Sequence, residues 1–525
     1  MPKCRYILAV TLFMYMCIGY MVRVNINVTL LSMVNDTANV DMDSDNMSVC
    51  AVASGRKVNQ TRHSVGTYIW DRPTQGLVLG AFFYGYLVTQ IPGALLCLRF
   101  GPRIVGLISV VCFSLLDIFI PLSASVGYEF LMFLRILEGL AQGVMMSLAC
   151  CLIGRWALAS EVSRFSAFVY SGCQIGTVLG QVIAGVLSQT RERLDPGSQP
   201  YYVSYWPVVH YVFGGLGLLL AVFWMFTVYD SPDKHPRISM DELSCLQPNT
   251  KNSRSVCQKI GCPTGINHLD LPASVKSDET KPTAIPSIVN SADHSASKPN
   301  TPSMLSVPWD KMFRTRALWS ILICHICFNW AWYSMLTCVP SYMSRVQGFD
   351  LSENGFLSSV PYITEWFVCQ IAAFTTDNMV HPLGGAGAGS LAVGLIGCNR
   401  VGAVILLAIT ISLLGFGSSG YVSNMVDIAP AYSGNIMSFT NTISTLPGIL
   451  GPLLVGVLTR ESSSVENWMI VFGISTAIAW FGAIVNLLLT DSTQQLWGKL
   501  ITDGGESNIG VSKSSLGNQE TNVKA

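Results

Sequence analysis

Charged side chains inside apolar runs are the first candidates for chemistry in this sequence. In FLRILEGLAQGV, Arg135 and Glu138 stand three positions apart and Gln142 follows four positions later, so all three share one helical face. A charge in hydrocarbon is costly unless it is paired or hydrated, which makes each one a candidate site. Two interpretations stay open: a charge network that exchanges partners as helices move, or a static pair that locks two helices together.

Other ionisable residues stand alone in apolar runs. Arg23, in YMVRVNIN, either reaches towards the membrane surface or faces an interior cavity. Asp117 and Glu365 are lone acids, which we expect to be neutral or to sit at helix ends. His325 is expected to be an interior histidine whose polar atoms have partners.

Aromatic residues near these charges are expected mostly to pack, Tyr20 among them. Tyr86 follows a glycine and Tyr333 lies near Asn329, so these two are candidates for lining a cavity. The P-loop, kinase, hydrolase-elbow and HExxH patterns are absent, and nothing assembles a nucleophile, base and oxyanion site. The sequence therefore predicts no enzyme.

Metal and cofactor sites are also not predicted. Cys257 and Cys262 lie near His268, but a structural zinc site needs four ligands at tighter spacing. We interpret them as isolated thiols.

The composition explains where such charges must lie. The 525 residues carry 31 Lys+Arg and 31 Asp+Glu, only 12% are charged and 50% are hydrophobic. This balance argues against disorder and against a nucleic-acid partner. Long runs that are apolar on every face predict about twelve spans of the lipid bilayer. They are 6–28, 75–98, 102–126, 129–153, 165–188, 207–229, 317–343, 355–376, 382–398, 401–424, 435–459 and 467–490.

The predicted organisation is an all-α polytopic membrane protein with two six-helix bundles. The bundles are residues 1–229 and 309–490, joined by a flexible cytosolic linker at 230–308, and 491–525 form a cytosolic tail. Three glycosylation acceptors fall between the first two spans, which places the loop 35–73 in the lumen. They are Asn35, Asn46 and Asn59. Cys50 is the only cysteine of that loop, so no disulfide framework is predicted.

Several long strings resemble the anion/cation symporter family of the major facilitator superfamily. They include WDRPTQGLVLGAFFYGYLVTQIPG, FLRILEGL, NGFLSSVPY, IGCNR and DIAPAYSGNIMSFTNTISTLPGILGP. The sialin branch of the family looks most similar, on MVRVNINVTLLSMVN and NWAWYSMLTCVPSYM. The resemblance runs from the first span to the twelfth and leaves out the linker and both tails.

The resemblance implies a twelve-helix fold and roles for individual residues. It assigns Arg23 to a substrate carboxylate, Arg135 and Glu138 to a coupling network that continues to Gln142, and further cavity positions to Tyr20, Tyr86, Tyr333 and Asn424.

Three features depart from the family pattern. Gln142 and Cys150 stand where relatives have a glutamate and a histidine, and Phe328 stands where the glutamate carriers have an arginine. A glutamine cannot exchange a proton, so this change alone predicts transport that follows membrane potential more than a pH gradient. Residues 375–393 are short and glycine-rich where the family has a longer loop and a fuller ninth helix.

The sequence and the resemblance together predict a secondary active transporter of small organic anions. The expected substrates are sialic acid and other acidic sugars, or acidic amino acids, with a proton or another cation, or membrane potential, as the coupling force. The alternatives are a transport-inactive membrane sensor or scaffold, and a carrier of phosphate, urate or nucleotides. A lysosomal or vesicular membrane is expected, with the plasma membrane as the alternative.

Overall fold

A computed structural model describes most of the chain. The residues described are 3–35, 50, 66–158, 161–193, 201–246, 308–375, 382–429, 432–460, 464–491, 493, 495 and 497. Asn46 and Asn59 lie outside these ranges, as do residues 247–307 of the predicted linker and most of the C-terminal tail.

Long helices dominate the described residues. The elements up to residue 246 are α1 (Cys4–Met33), α2 (Arg72–Phe100), α3 (Pro102–Val126), α4 (Tyr128–Gln142), α5 (Met145–Trp156), α6 (Val162–Leu187), β1 (Thr190–Arg193), β2 (Tyr201–Ser204), α7 (Trp206–Thr227) and α8 (Met240–Leu246). The two strands pair antiparallel. The elements after residue 308 are α9 (Trp309–Phe313), α10 (Arg316–Arg345), α11 (Leu351–Leu357), α12 (Val360–Thr375), α13 (Pro382–Leu395), α14 (Arg400–Ile428), α15 (Ser433–Ser444), α16 (Leu446–Leu458) and α17 (Val465–Leu489).

Each of the twelve predicted spans coincides with one helix or with a consecutive pair. Among the described residues, nine spans are long and apolar enough to cross a membrane. The other three are formed by α12, α13 and α14. The helix α13 has 14 residues, about 21 Å at 1.5 Å per residue, which is shorter than the apolar core of a bilayer.

The same helix pairing recurs in both halves of the molecule. In the first half the second span packs against the fourth (α2 on α4) and the third against the sixth (α3 on α7). In the second half the eighth packs against the tenth (α12 on α14) and the ninth against the twelfth (α13 on α17). This repetition defines an all-α polytopic membrane protein built from two related six-helix bundles.

Three spans consist of two consecutive helices: α4 with α5, α11 with α12, and α15 with α16. Between α4 and α5 lies Gly143, which is so close to α2 that an added Cβ would collide with Thr89. Between α15 and α16 the break is at Thr445, and Pro447 occupies the first turn of α16. Proline has no amide hydrogen, so it is tolerated at a helix start and ends the preceding hydrogen-bond ladder.

Close approach of α2 and α4 depends on glycine. A Cβ on Gly139 would collide with the backbone oxygen of Phe82 and would lie 2.8 Å from the backbone nitrogen of Tyr86. Both contacts are with backbone, which cannot rotate away. The glycine therefore sets the distance between these two helices.

We expect Gly139→Ala to destabilise the protein by about 1–3 kcal/mol, because the added methyl group overpacks a helix contact. The measurement is thermal unfolding in detergent. Gly154→Ala is the matched control, since a Cβ at Gly154 meets nothing within 4 Å. Equal unfolding temperatures for the two variants would contradict the assignment.

The first part of the predicted flexible linker is ordered, which corrects the sequence expectation. Residues 230–246 contain α8, and the Glu242 carboxylate accepts hydrogen bonds from the backbone nitrogens of Cys4 (3.0 Å) and Arg5 (3.1 Å). A carboxylate at a helix N-terminus satisfies free amide groups and is favoured by the helix dipole. The segment therefore caps α1, whose own first turn has no acidic residue.

A disulfide joins Cys50 to Cys398, although the sequence predicts no disulfide framework from the single cysteine of the first loop. Cys398 lies between α13 and α14, in the second half of the molecule. The two cysteines are 348 positions apart in sequence, so their proximity depends on how the two halves pack.

A non-reducing digest is expected to contain a peptide of the first loop cross-linked to the peptide that contains Cys398, and reduction should separate them. Mass spectrometry checks this. Cys50→Ser should release Cys398 to thiol reagents, whereas Cys4→Ser should not. Unchanged labelling of Cys398 in the Cys50→Ser variant would show that no bond exists.

Candidate functional site

Arg23 lies inside the bundle in a cage of aromatic rings. Its side chain is 3% exposed, so the interpretation as a surface-seeking arginine is wrong. The guanidinium carbon lies 4.4 Å from the ring centre of Tyr20, 4.7 Å from Phe82 and 4.5 Å from Tyr86. Cation–π contacts of this kind stabilise a buried charge without using its hydrogen-bond donors.

The hydrogen-bonding capacity of Arg23 is mostly unused. Nη2 donates to the Oε1 atom of Gln142 at 3.5 Å, which is long for a hydrogen bond, and the Tyr86 hydroxyl interacts with the guanidinium. In the part of the chain that the structure describes, Nε and Nη1 have no partner with hydrogen-bond geometry. Unsatisfied buried donors on a charged group are costly, so this position suits an anionic ligand.

Arg135 and Glu138 form the predicted ion pair and also hold α1. The Nη1 atom of Arg135 donates to Glu138 at 2.6 Å, and its Nη2 atom donates to the backbone oxygen of Arg23 at 3.0 Å. A longer contact of 3.4 Å reaches the backbone oxygen of Val22. Both charged side chains are buried. The pair therefore fixes the segment of α1 that carries Arg23.

The second half contributes Tyr333, on α10. Its ring packs edge-on against the ring of Phe83, with the ring centres 4.6 Å apart. Tyr333 is also close enough to Arg23 and Tyr20 to interact with both electrostatically. The structure thus brings four of the five predicted substrate-binding residues together. Asn424 is different: it is buried beside Met425, which packs with Met312 and others near the start of α10. Its role in binding stays a prediction.

The two halves meet closely from the predicted lumenal end to the middle. At that end, Arg72 donates to the backbone oxygen of Thr459, and Arg345 donates to Gln75. Farther in, Asn27 donates to the backbone oxygen of Leu336 at 2.9 Å.

A further side-chain cluster joins the halves beyond the aromatic cage. The Gln90 amide donates to Thr445 and accepts from Asn441, both at 2.7 Å. Gln90 lies one helical turn beyond Tyr86, counted from the lumenal start of α2, so this cluster joins the halves on the predicted cytosolic side of the aromatic cage, and the contacts of Arg72, Arg345 and Asn27 lie on the lumenal side.

Two lone acids lie well inside helices, contrary to the expectation of helix ends. Glu365 is 2% exposed within α12, and its Cγ atom lies against Gly415 of α14. Asp117 is fully buried within α3 and is bonded to His210 and Asn25. Sequence reasoning missed His210. A histidine inside the span 207–229 was the available signal, because a buried polar ring needs a partner.

The remaining polar predictions divide between confirmed and untested. His325 is buried and bonded to Thr440 at 3.1 Å, as expected of an interior histidine. Asn35 is partly exposed at the end of α1, where its backbone nitrogen donates to Tyr68 at 2.8 Å. Its glycosylation stays a prediction.

Comparisons with known proteins agree with this architecture. The model of the Major Facilitator Superfamily matches residues 11–452. The chain is 31% identical to sialin of Homo sapiens over 516 residues, which cover 94% of this chain and 92% of that protein. It is 28% identical to vesicular glutamate transporter 1 of Xenopus tropicalis over 508 residues, which cover 94% of this chain and 76% of that protein.

Solved structures show the same fold. A crystal structure of a D-xylose–proton symporter matches with a TM-score of 0.63 at 13% identity, covering 93% of this chain and 98% of that chain. A bacterial homologue of the human lysosomal transporter Spinster, inward-facing and occupied, matches with a TM-score of 0.59 at 13% identity, covering 93% and 97%.

The helix pairing and these matches define a multi-pass membrane transporter. The chain belongs to the major facilitator superfamily and, within it, to the anion/cation symporter family that includes sialin and the vesicular glutamate transporters.

Proposed function

We propose that the protein is a secondary active transporter of small organic anions, with Arg23 as the anion site. The observation that carries this proposal is the buried guanidinium with two unpartnered nitrogens. A carboxylate accepts two parallel hydrogen bonds from a guanidinium, and such charge-assisted bonds are about twice as strong as neutral ones. An incoming carboxylate could therefore form such a pair with Nη2, whose contact to Gln142 is long, and with one of the two free donors, Nε or Nη1.

The cage favours a substrate with one carboxylate and a less polar body. Arg23 stands among Tyr20, Phe82 and Tyr86, and rings of this kind pack against sugar or aliphatic groups. Phe328 is buried in an apolar cluster, where the glutamate carriers have a second arginine. Within the predicted substrate class, these features support sialic acid and related acidic sugars, which carry one carboxylate, over acidic amino acids, which carry two.

Alternating access fits the contacts between the halves. The Arg23 cage belongs to the first half and Tyr333 to the second, so the site lies where the halves meet. Rocking of two related bundles about such a site exposes it to one side at a time. The described contacts on the predicted lumenal side support a conformation that is closed there.

We further propose the organisation that the sequence predicts. The bundles 1–229 and 309–490 flank a cytosolic segment at 230–308, and the loop 35–73 lies in the lumen of a lysosome or vesicle. Protons or membrane potential supply the driving force.

Flux through proteoliposomes of the purified protein tests this function. Labelled sialic acid, glucuronate, glutamate, phosphate, urate and ATP are offered in counterflow, with each unlabelled compound inside. Counterflow of sialic acid or another organic acid supports the proposal. Counterflow of only phosphate, urate or ATP would favour the alternative carrier class, and no flux under any gradient would favour a sensor or scaffold.

A further inference from the structure

Three polar side chains from three helices meet in the first half, apart from the aromatic cage. The Oδ1 atom of Asp117 on α3 accepts hydrogen bonds from Nδ1 of His210 on α7 at 2.7 Å and from the Asn25 amide on α1 at 2.9 Å. Thr29 of α1 lies 3.4 Å from Nε2 of His210. Asp117, His210 and Asn25 are fully buried.

The surroundings of this cluster are charged on one side and apolar on the others. Glu138, on α4, is close enough to Asp117 and Arg23 to interact with both electrostatically, and it forms an ion pair with Arg135. On α1, Arg23 stands two residues before Asn25. The Trp206 ring lies edge-on to the ring of His210, and α2 contributes apolar Val78 and Leu79 to the neighbouring core.

The formal charges of this region balance when no substrate is present. Arg23 and Arg135 carry positive charges, while Asp117 and Glu138 carry negative charges, and a neutral His210 leaves the sum at zero. A carboxylate bound at Arg23 would give the buried region a net negative charge. An uncompensated charge in a low-dielectric interior is strongly unfavourable.

We propose that Asp117 and His210 form a proton-binding site that takes up one proton for each monocarboxylate bound at Arg23. The inference rests on the proposed transport function and adds the residues that bind the coupling proton. The proton restores neutrality of the buried region, so substrate and proton bind together. One negative and one positive charge then cross together, which makes transport electrically silent.

The hydrogen-bond partners accommodate both states of the imidazole. In the neutral ring Nδ1–H donates to Asp117, and Nε2 can accept from the Thr29 hydroxyl. When a proton binds at Nε2, that nitrogen becomes a donor and the hydroxyl becomes the acceptor. Among the described residues, Oδ2 of Asp117 has no partner, so the carboxylate also keeps an open position for a proton.

This site changes the expectation drawn from Gln142. A glutamine at that position predicts voltage-driven transport, because one acid of the family's network is missing. The Asp117–His210 pair supplies a titratable group elsewhere, next to the same network. The two views predict opposite responses to separate gradients.

Asp117→Asn in proteoliposomes provides the test, with labelled sialic acid as the probe. With voltage clamped by valinomycin, one pH unit should drive about tenfold accumulation by the wild type, and voltage alone should drive none. In Asp117→Asn the buried region has lost one negative charge. A carboxylate bound at Arg23 then makes the region neutral, and no proton is needed. This variant should therefore lose pH-driven accumulation and gain about tenfold accumulation for about 59 mV.

Ser114→Ala is the matched control on the same helix, because Ser114 is buried and donates only to the backbone oxygen of Val110. It should behave as the wild type. Sialic acid counterflow is measured first, in the absence of gradients. Where another organic acid shows counterflow in the wild type and sialic acid does not, that acid replaces sialic acid as the probe. Absence of wild-type counterflow with every organic acid offered would contradict the proposed function. Wild-type counterflow together with unaltered pH-driven accumulation in Asp117→Asn would overturn the proton site alone.

His210→Gln is the second variant, for the case in which Asp117→Asn does not fold. Glutamine can donate to Asp117 but cannot bind the proton, so the proton must then sit on the carboxylate. The pH of half-maximal gradient-driven uptake should move to lower values. An unchanged pH profile would count against the pair.

Discussion

Arg23→Ala is expected to abolish uptake of organic anion without lowering the stability of the protein. The substrate loses two charge-assisted hydrogen bonds, which together contribute about 3–6 kcal/mol, or about a hundredfold or more in binding. Two effects on stability oppose each other: alanine loses the cation–π contacts with Tyr20, Phe82 and Tyr86, but it also removes a buried charge whose Nε and Nη1 atoms have no partner in the described structure. We therefore expect an unfolding temperature close to that of the wild type. This combination distinguishes a binding residue from a structural one.

Counterflow and thermal unfolding, measured on the same preparations, check this prediction. Arg23→Lys keeps the charge but not the planar, forked donor geometry, so its uptake should lie between wild type and alanine. Arg99→Ala is the matched control, because Arg99 is exposed at the end of α2. Uptake by Arg23→Ala at the wild-type rate would exclude Arg23 as the anion site.

Glu138→Ala should cause the largest loss of stability, about 3–5 kcal/mol, because Arg135 is left buried without its ion-pair partner. Uptake should fall as well, since Arg135 holds α1 at the backbone oxygens of Val22 and Arg23. Thermal unfolding in detergent measures the first effect and counterflow the second. In contrast, Arg314→Ala breaks an exposed pair with Asp310 and should cost less than about 1 kcal/mol.

A double variant separates the two interpretations of the buried pair. Replacing both partners by apolar residues, Arg135→Met with Glu138→Leu, should recover much of the stability, because no unpaired charge remains. A pair that merely locks two helices would then also recover uptake. A pair that orders the site or exchanges partners would not. A Glu138→Ala protein as stable as the wild type would refute the assignment of a buried ion pair.

The positions of the spans could be predicted from sequence because the thickness of a bilayer sets the length of an apolar helix. The pairing of Arg135 with Glu138 was also predictable, since residues three apart share a helical face. The hydrogen bonds from Arg135 to the backbone of α1 were not predictable, because Arg135 is 112 positions from Arg23 in the sequence. Hydropathy does not report which face of one helix meets which face of another.

The same limit explains the polar contacts that sequence reasoning missed. Asp117 and His210 each look isolated in an apolar run, and they lie 93 positions apart. A lone acid in one span and a lone histidine in another are a signal in combination, because each must find a partner in hydrocarbon. The resemblance pointed to Tyr20, Tyr86 and Tyr333, but the stacking of Phe82 against Arg23 required the packed structure.

The Cys50–Cys398 bond turns most of the polypeptide into a closed ring. The ring passes through the segment 230–308, which is the longest polar stretch between the two halves. A protease that cuts there would leave both bundles on one molecule, with free ends where the segment was. Only the cut together with reduction would yield two separate fragments. The transporter therefore tolerates one break anywhere between the two cysteines without being divided.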